Sequence, residues 1–504
     1  MFRITNQMMY NNSLVNMNLE NQKLYQTSQQ ISSGKRVNQP SDDPLAIGEI
    51  MSYQTKLDRN DRFATFTQKA KSMLSTSESF VASTTDVATR ARELAMGAAS
   101  GTSTPQTRLT TSQEIDNLIQ HTIQTGNGKY GSDFVFSGLS TNVPPVSQTG
   151  NYQGNPVALN AVLNETSTIA STVKASDFLM ADMSPRLTLN TPLASTKLGQ
   201  GVGTGTFTIT DRAGNTGTVN VTAGMTVGGL INAINASGAN VTASLPATDT
   251  YSFQIVDNNT TTVTNPIRIT DTAGTVASAL GIAGSRPVQT MKSDSLRPSA
   301  TAATALSDLY GGIGLPLSDI SVINGATSAT VSFAGATTVG DILNALNASG
   351  ANVTAGLNAN GTALTLTSNN PATVAYAKDI NAGKTADQLG IGGGRNLILN
   401  LQRLSAALKG NDVRAISGLL DNFSSAIDTT AAVRGEIGAR INRLDDNSTQ
   451  LDTSKADVTT MLSNAQDTDM AKAISDFSLL QTAYQATAQA TAQIIQPSLL
   501  NFLK

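Results

Sequence analysis

Side chains with reactive chemistry are few and scattered. The 504 residues hold one histidine, His121, and no cysteine or tryptophan. Without cysteine there is no thiolate nucleophile, no cysteine-based zinc site and no disulfide. A lone imidazole lacks the further ligands a metal needs and the partners a nucleophile relay needs, so His121 is read as a packed or solvated side chain of its helix. Asp42 and Asp43 are adjacent carboxylates, a pairing used in acid–base work, but no complementary acid or base lies near them in sequence. Pro44 supplies another account, because an aspartate just before a helix-opening proline caps exposed backbone N–H groups. GVGTG at 201–205 and GIGGG at 390–394 have the composition of phosphate-cradling loops. Neither has the Walker lysine or the dinucleotide spacing, so both are read as turns or linkers. Lys35-Arg36 is too small a basic patch for nucleic acid, and a net charge of −3 gives no general attraction to polyanions or anionic membranes. The NAS and NNT-type sequons matter only in a eukaryotic secretory setting. No catalytic residue, metal or cofactor is expected.

The elements that would position side chains are more informative. From Phe66 an apolar residue recurs every seventh position, through Met73, Phe80, Val87 and Leu94. Small residues, from Ala70 to Ala98, alternate with them. Much later the pattern returns through Ile416, Phe423, Ile437, Leu444, Leu451 and Val458, with Thr430 as the polar member. A sustained heptad keeps one narrow stripe against a partner helix, so the two ends are expected to pair as a coiled-coil rod. Asp43-Pro44 predicts a helix to about Ala99, and Thr104-Pro105 repeats the cap-plus-proline device for a second helix to about Thr125. YGSDFVF at 130–136 reads as a strand, the start of a small β region. Pro497 is read as the end of the last helix.

The first 40 residues are rich in Asn and Gln, and their weak heptad through Tyr10, Leu14, Met17, Leu24 and Ile31 is broken at Asn21 and Ser28. This segment is expected to be mobile alone and helical only when packed. The last helix carries Met470, Ile474, Phe477, Leu480, Tyr484, Ile494 and Ile495, and the chain closes on Leu499, Leu500, Phe502 and Leu503. Such an apolar tail needs a partner surface. The inner part of each stripe is expected to fold within the monomer, and the outermost part to be completed by other subunits. The N-terminus has no apolar core followed by a small-residue cleavage site, and no stretch is long and apolar enough for a membrane span. Two expectations remain open: a cytoplasmic protein, or export by a machine that reads an uncleaved N-terminus.

The middle is duplicated. TVGGLINAINASGANVTA from Thr226 and TVGDILNALNASGANVTA from Thr338 agree at 14 of 18 positions. The copies are bounded at about 191–286 and 304–395, each reading as alternating strands (Phe207, Ile209; Val219, Val221) around a short helix (Leu230, Ile231, Ile234). The fold class is therefore α+β: a rod of paired N- and C-terminal long helices with a small β region, plus a central insertion of two duplicated β-rich α+β modules. The expected divisions are 1–43, 44–185, 186–290, 291–395, 396–464 and 465–504.

SSGKRVNQPSDDPLAIGEI at 32–50 and QTAYQATAQATAQIIQPSLLNFLK at 481–504 resemble the N- and C-terminal signatures of bacterial flagellins and their relatives. Pro40 and Pro44 around SDD, GKYGSDFVFSG at 128–138 and NYQGN at 151–155 are similar to the hook–filament junction branch of that family. The resemblance covers about 1–160 and 400–504. It implies a flagellin-like rod and a structural adapter that joins hook-associated protein 1 to flagellin, self-associating in a ring. It also implies extracellular placement on the flagellum, type III export without a cleaved signal peptide, and an export chaperone shielding the C-terminal helix. Met17, Leu24, Ile31 and the apolar residues from Ile474 to Leu503 would make those subunit or chaperone contacts. Two alternatives stand beside it: a filament flagellin with an unusual central domain, and a surface-displayed enzyme or glycan-binding protein on a flagellin-like stem. The last is disfavoured by a middle region without clustered histidines, paired acids or exposed aromatics.

Overall fold

The computed structural model describes residues 6–247, 249–259 and 265–500. Three helices come first: α1 (Asn6–Ser33), α2 (Pro44–Ala99) and α3 (Pro105–Gly126). Four short strands follow, β1 (Lys129–Tyr130), β2 (Asp133–Phe134), β3 (Asn160–Val162) and β4 (Thr168–Ala170). The first repeat contains β5 (Gly205–Thr210), β6 (Thr216–Val221), α4 (Val227–Asn235), β7 (Val241–Ser244), β8 (Gln254–Asp257), β9 (Ile267–Ala273), α5 (Val276–Ala279), β10 (Gly284–Arg286) and β11 (Thr290–Lys292). The second contains β12 (Ile320–Asn324), β13 (Thr327–Val331), α6 (Val339–Asn347), β14 (Val353–Leu357), β15 (Leu364–Ser368), β16 (Ala375–Asp379) and α7 (Thr385–Leu389). The chain closes with α8 (Leu397–Lys409), α9 (Val413–Gly418), α10 (Leu420–Gln466) and α11 (Met470–Leu500).

These elements form two compact units. The first takes the described residues up to 68, together with 162–167 and those from 444 on; the second takes 69–161 and 168–443. In the first, α1 packs along α11. The start of α2 lies antiparallel to the end of α10, because Asn60 donates to Ser454 Oγ at 3.1 Å and Asn447 to Thr67 Oγ1 at 3.0 Å. Val37, Ala46 and Ile50 make a small apolar cluster with Leu462 and Ala465.

In the second unit, the rest of α2 and α10 keep the antiparallel sense, with Arg434 Nη2 2.8 Å from Glu78 Oε1. Helix α3 folds back along α2, where Arg90 Nη2 lies 2.8 Å from Glu114, and α3 also packs on α8. The polar stripe member Thr430 is fully buried, and its hydroxyl donates to the Ala426 and Ile427 carbonyls at 3.0 and 2.9 Å. A threonine that satisfies itself on the preceding turn leaves no unpaired polar group in the seam.

Three expectations need correction. YGSDFVF is not one strand: the chain reverses at Gly131, whose φ is +62°, and β1 pairs antiparallel with β2. A residue without Cβ holds that left-handed conformation cheaply. The C-terminal stripe is not one helix from Ile416, since a break at Leu419 separates α9 from α10. Helix α11 also runs through Pro497 to Leu500. A proline so close to a helix end removes one backbone bond there instead of interrupting a long ladder.

Each repeat folds as an antiparallel α+β module with its own core. Phe207, Ile209, Val219 and Val221 alternate inward from β5 and β6, against Leu230 and Ile234 of α4. Ile320, Val322, Ile342 and Leu346 are the counterparts in the second module. Inward alternation with period two on the strands and a 3–4 spacing on the helix is what one-sided burial demands. The module helices start on Thr226 and Thr338, each accepting a bond from the third helical N–H. Only the second has an acid there, Asp341, whose carboxylate accepts from the Thr337 and Thr338 N–H groups, each at 2.9 Å. Those bonds, Thr337's first, hold its pKa down at about 2. A carboxylate with a lowered folded-state pKa stabilises above its ordinary value and loses that contribution as pH falls through the folded value. Asp341→Gly, which installs the residue that the first module has at Gly229, should therefore lower the melting temperature at pH 5. The difference from the parent should shrink from about pH 4 down to about pH 2, leaving only the pH-independent cost of glycine in the first helical turn, in circular-dichroism melts across that window.

Candidate functional site: helical seams and the module junction

Asp43 precedes Pro44 and accepts from the Ala46 N–H at 3.1 Å. That bond, helped by Arg36 at 3.1 Å, holds the Asp43 carboxyl below the usual range. Asp42 instead accepts the Asn38 and Gln39 N–H groups at 2.9 and 2.8 Å, tying off the preceding turn. Thr104 accepts from the Thr107 N–H at 3.1 Å, with Pro105 in the first helical position. Lys35 and Arg36 serve the seam: Arg36 gives its backbone N–H to Gln466 at 2.7 Å and its guanidinium to the Ala465 carbonyl at 2.9 Å. The end of α10 is thereby stitched to the loop before α2, a role that a two-residue basic pair does not signal in sequence.

On α10, Phe423, Ile437, Leu444 and Leu451 are buried, as is Ile416 on α9. On α2 the fully buried row is Leu74, Val81, Ala88 and Ala95, one residue on from the expected frame. Upstream, buried Asn60 and Thr67 hold the same frame, facing Ser454 and Asn447. Met73 and Val87 are buried beside that row, and Phe80 and Leu94 are half-buried. Phe66 is 49% exposed and is not a core residue. The reason is angular. Successive residues stand 100° apart, so a row displaced by one position flanks the seam instead of lying in it. Flanking residues become buried only where other helices cover them, as α3 does farther along α2.

Met17, Leu24 and Ile31 are half-buried on α1, which packs on α11, where Phe477, Leu480 and Tyr484 are half-buried. Thr487 donates to Glu20 at 3.2 Å across this pair. Ile474 is exposed, and so is Leu479, which the sequence reading passed over. Met8, Val15 and Leu19 form a second exposed apolar line on α1. At 100° per residue they lie opposite Met17 and Leu24. The side chains of Tyr10, Ile494, Ile495, Leu499 and Leu500 lie outside the described residues, as do Phe502 and Leu503 altogether.

His121 is exposed on α3, 3.3 Å from Ser83 Oγ. Among the described residues, no group of three His, Asp or Glu side chains stands close enough to hold a metal ion. The glycines of GIGGG have a packing cause. A Cβ on Gly394 would come within 2.1 Å of the Ser425 carbonyl, and one on Gly392 within 2.2 Å of that of Ala377. These glycines admit a close backbone approach.

The module junction holds a buried charge pair that sequence reasoning missed. Arg297 Nη2 lies 2.5 Å from Asp182 Oδ2, with the side chains 6% and 2% exposed. The same guanidinium donates to the Gly154 carbonyl and stands 5.2 Å from the centre of the Tyr152 ring. Tyr152 is buried, which pushes its phenol well above the ordinary value, and its hydroxyl donates to the Asn155 carbonyl at 2.9 Å. Asp182 also accepts the Ser184 N–H at 3.2 Å. Three segments remote in sequence are thus pinned at one charge.

Comparison with known proteins gives matches at both ends. The bacterial flagellin N-terminal helical region matches residues 4–141, and the bacterial flagellin C-terminal helical region matches residues 420–503. Flagellar hook-associated protein 3 of Salmonella typhimurium is 27% identical over 154 residues, 30% of this chain and 49% of that protein. The protein of that name from Escherichia coli has the same identity and coverage. The chain spans about half the length of these curated relatives. Among solved structures, hook-associated protein 3 of Legionella pneumophila is 14% identical, with 82% of this chain and 98% of that one covered and a TM-score of 0.38. FlgL of Xanthomonas campestris is 14% identical at the same coverage, with a TM-score of 0.36.

Proposed function

We propose that this chain, whose ends carry the N- and C-terminal helical regions of bacterial flagellins around a central β-containing region, is a structural component of the hook–filament junction. In this reading it joins hook-associated protein 1 below to flagellin above, without catalysis. The observation that carries it is the likeness, 27% identity over 154 residues, to two proteins named flagellar hook-associated protein 3. The second apolar line on α1 supports an assembly role. Met8, Val15 and Leu19 are exposed on a helix whose other face is already packed on α11. In a ring of copies, adjoining subunits cover that line, and before assembly an export chaperone shields α11. Type III export of an unfolded chain, with ordering of the terminal helices on assembly, belongs to the same proposal.

Deleting the gene tests the function. The expected mutant keeps hooks, lacks filaments, does not swim and releases flagellin monomer into the medium. Filaments of normal length on the mutant sink the junction reading. Loss of filaments without released flagellin identifies the chain as the filament subunit instead, the reading that the flagellin-region matches also allow.

A further inference from the structure

The duplication makes one module a template for the other. In the first module β8 is flanked on both edges: the sheet order is β11-β8-β7. Strand β11 pairs antiparallel, with Met291 opposite Ile255, Thr290 opposite Val256 and Lys292 opposite Gln254. Met291 is 1% exposed, so the central residue of β11 completes the module core. In the second module the counterpart of β8 is β15, and among the described residues its sheet holds β14 and β15 alone. The sequence shows why. After LGIAGSR the first copy continues into Gln289, Thr290, Met291 and Lys292, whereas after LGIGGGR the second copy enters α8 at Leu397.

The strand position beside β15 is therefore vacant. On β8, the Asp257 N–H and the Phe253 carbonyl face the β11 side, bonding Gln289 and Ser293 at 2.9 Å each. Their counterparts on β15 are Ser368 and Leu364, with Leu366 between them; among the described residues no backbone hydrogen bond is made to this edge from Leu364 to Ser368. One step earlier the correspondence still holds, because Met183 bonds the Thr362 carbonyl at 2.8 Å as Leu296 bonds that of Tyr251. Beyond that point the chain turns away, and the open edge lines a cavity of about 460 Å³ bounded by Gly150, Asn151, Leu399 and Gln402. Every residue lining it is uncharged.

We propose that the free edge of β15 is a docking site for an extended segment of another polypeptide, which adds an antiparallel strand there. An unpaired edge offers main-chain hydrogen bonds, and alternate side chains of the added strand set its specificity. The partner's chemistry follows from β11: a neutral or weakly charged strand with an apolar residue opposite Leu366 and polar residues opposite Thr365 and Thr367. A strand of about three residues spans roughly 10 Å.

The absence of cysteine from the chain makes a clean test. Full-length protein carrying Thr367→Cys is mixed, in a glutathione redox buffer, with a synthetic peptide of residues 288–294 carrying Thr290→Cys. Thr367 corresponds to Val256, the residue opposite Thr290, so strand addition brings the two thiols together. The expected result is saturable mixed-disulfide formation at least about tenfold faster than with Ser328→Cys on the exposed edge strand β13, and lost when the peptide also carries Met291→Asp. Equal rates at the two edges, or indifference to Met291→Asp, overturn the proposal.

Discussion

Arg297→Ala should lower the stability of the second unit by about 3–5 kcal/mol, the largest effect expected of any single substitution here. The truncation leaves the Asp182 carboxylate buried at 2% exposure without its cation. It also removes the donor to the Gly154 carbonyl and the cation beside the Tyr152 ring. Most of the cost comes from stranding the charge, since a buried ion pair is worth far less than the penalty of breaking it. The companion Asp182→Leu with Arg297→Met should therefore recover much of the loss, because it removes both charges while keeping apolar volume. Full recovery is not expected, because Ser184 loses an acceptor as well. Urea unfolding of the parent and the two variants measures this. With no tryptophan in the chain, tyrosine emission reports on Tyr152 among nine tyrosines. Limited proteolysis gives a second readout, with new cuts in Arg297→Ala expected near 183–190 and 296–304, where the modules are tied in. A double variant no better than Arg297→Ala would show that packing, not stranded charge, sets the cost.

What was legible in the sequence was local or repetitive. Asp43-Pro44 and Thr104-Pro105 announce helix starts because the capping chemistry is complete within four residues. The duplication announces two modules because identity needs no geometry. The C-terminal row from Phe423 to Leu451 is in frame because a large apolar residue fills every position except that of Thr430. Contacts that join distant segments were not legible. Nothing near Arg297 in sequence points to Asp182, and nothing near Lys35-Arg36 points to the carbonyls that close α10. The open edge of β15 was hidden for another reason. It is an absence, visible only once β11 shows what the other copy has in that place.

On α2 the fully buried row lies one residue on from the row of large apolar residues, of which Met73 and Val87 are buried and Phe66 is exposed, and the offset has a measurable consequence. Leu74→Ala should cost about 2–5 kcal/mol, whereas Phe66→Ala should change stability by less than about 0.5 kcal/mol. Size alone suggests the opposite order, because phenylalanine is the larger side chain. Burial reverses it: Leu74 is fully buried, and Phe66 keeps about half its surface in water. The sequence favoured the Phe66 row because its members are large. The seam row instead runs through Asn60, Thr67, Leu74, Val81, Ala88 and Ala95, whose small and polar members do not announce a core. Those small residues are what close packing requires. Ala88 and Ala91 are both fully buried, so Ala91→Leu should destabilise by about 1–3 kcal/mol through overpacking, although it adds an apolar side chain. Urea midpoints of the three single variants, followed by far-ultraviolet circular dichroism, rank them. Leu74→Ala and Ala91→Leu should both fall well below the parent, with Phe66→Ala beside it. A Phe66→Ala loss equal to that of Leu74→Ala would restore the frame read from the large residues and place the seam on the other row of α2.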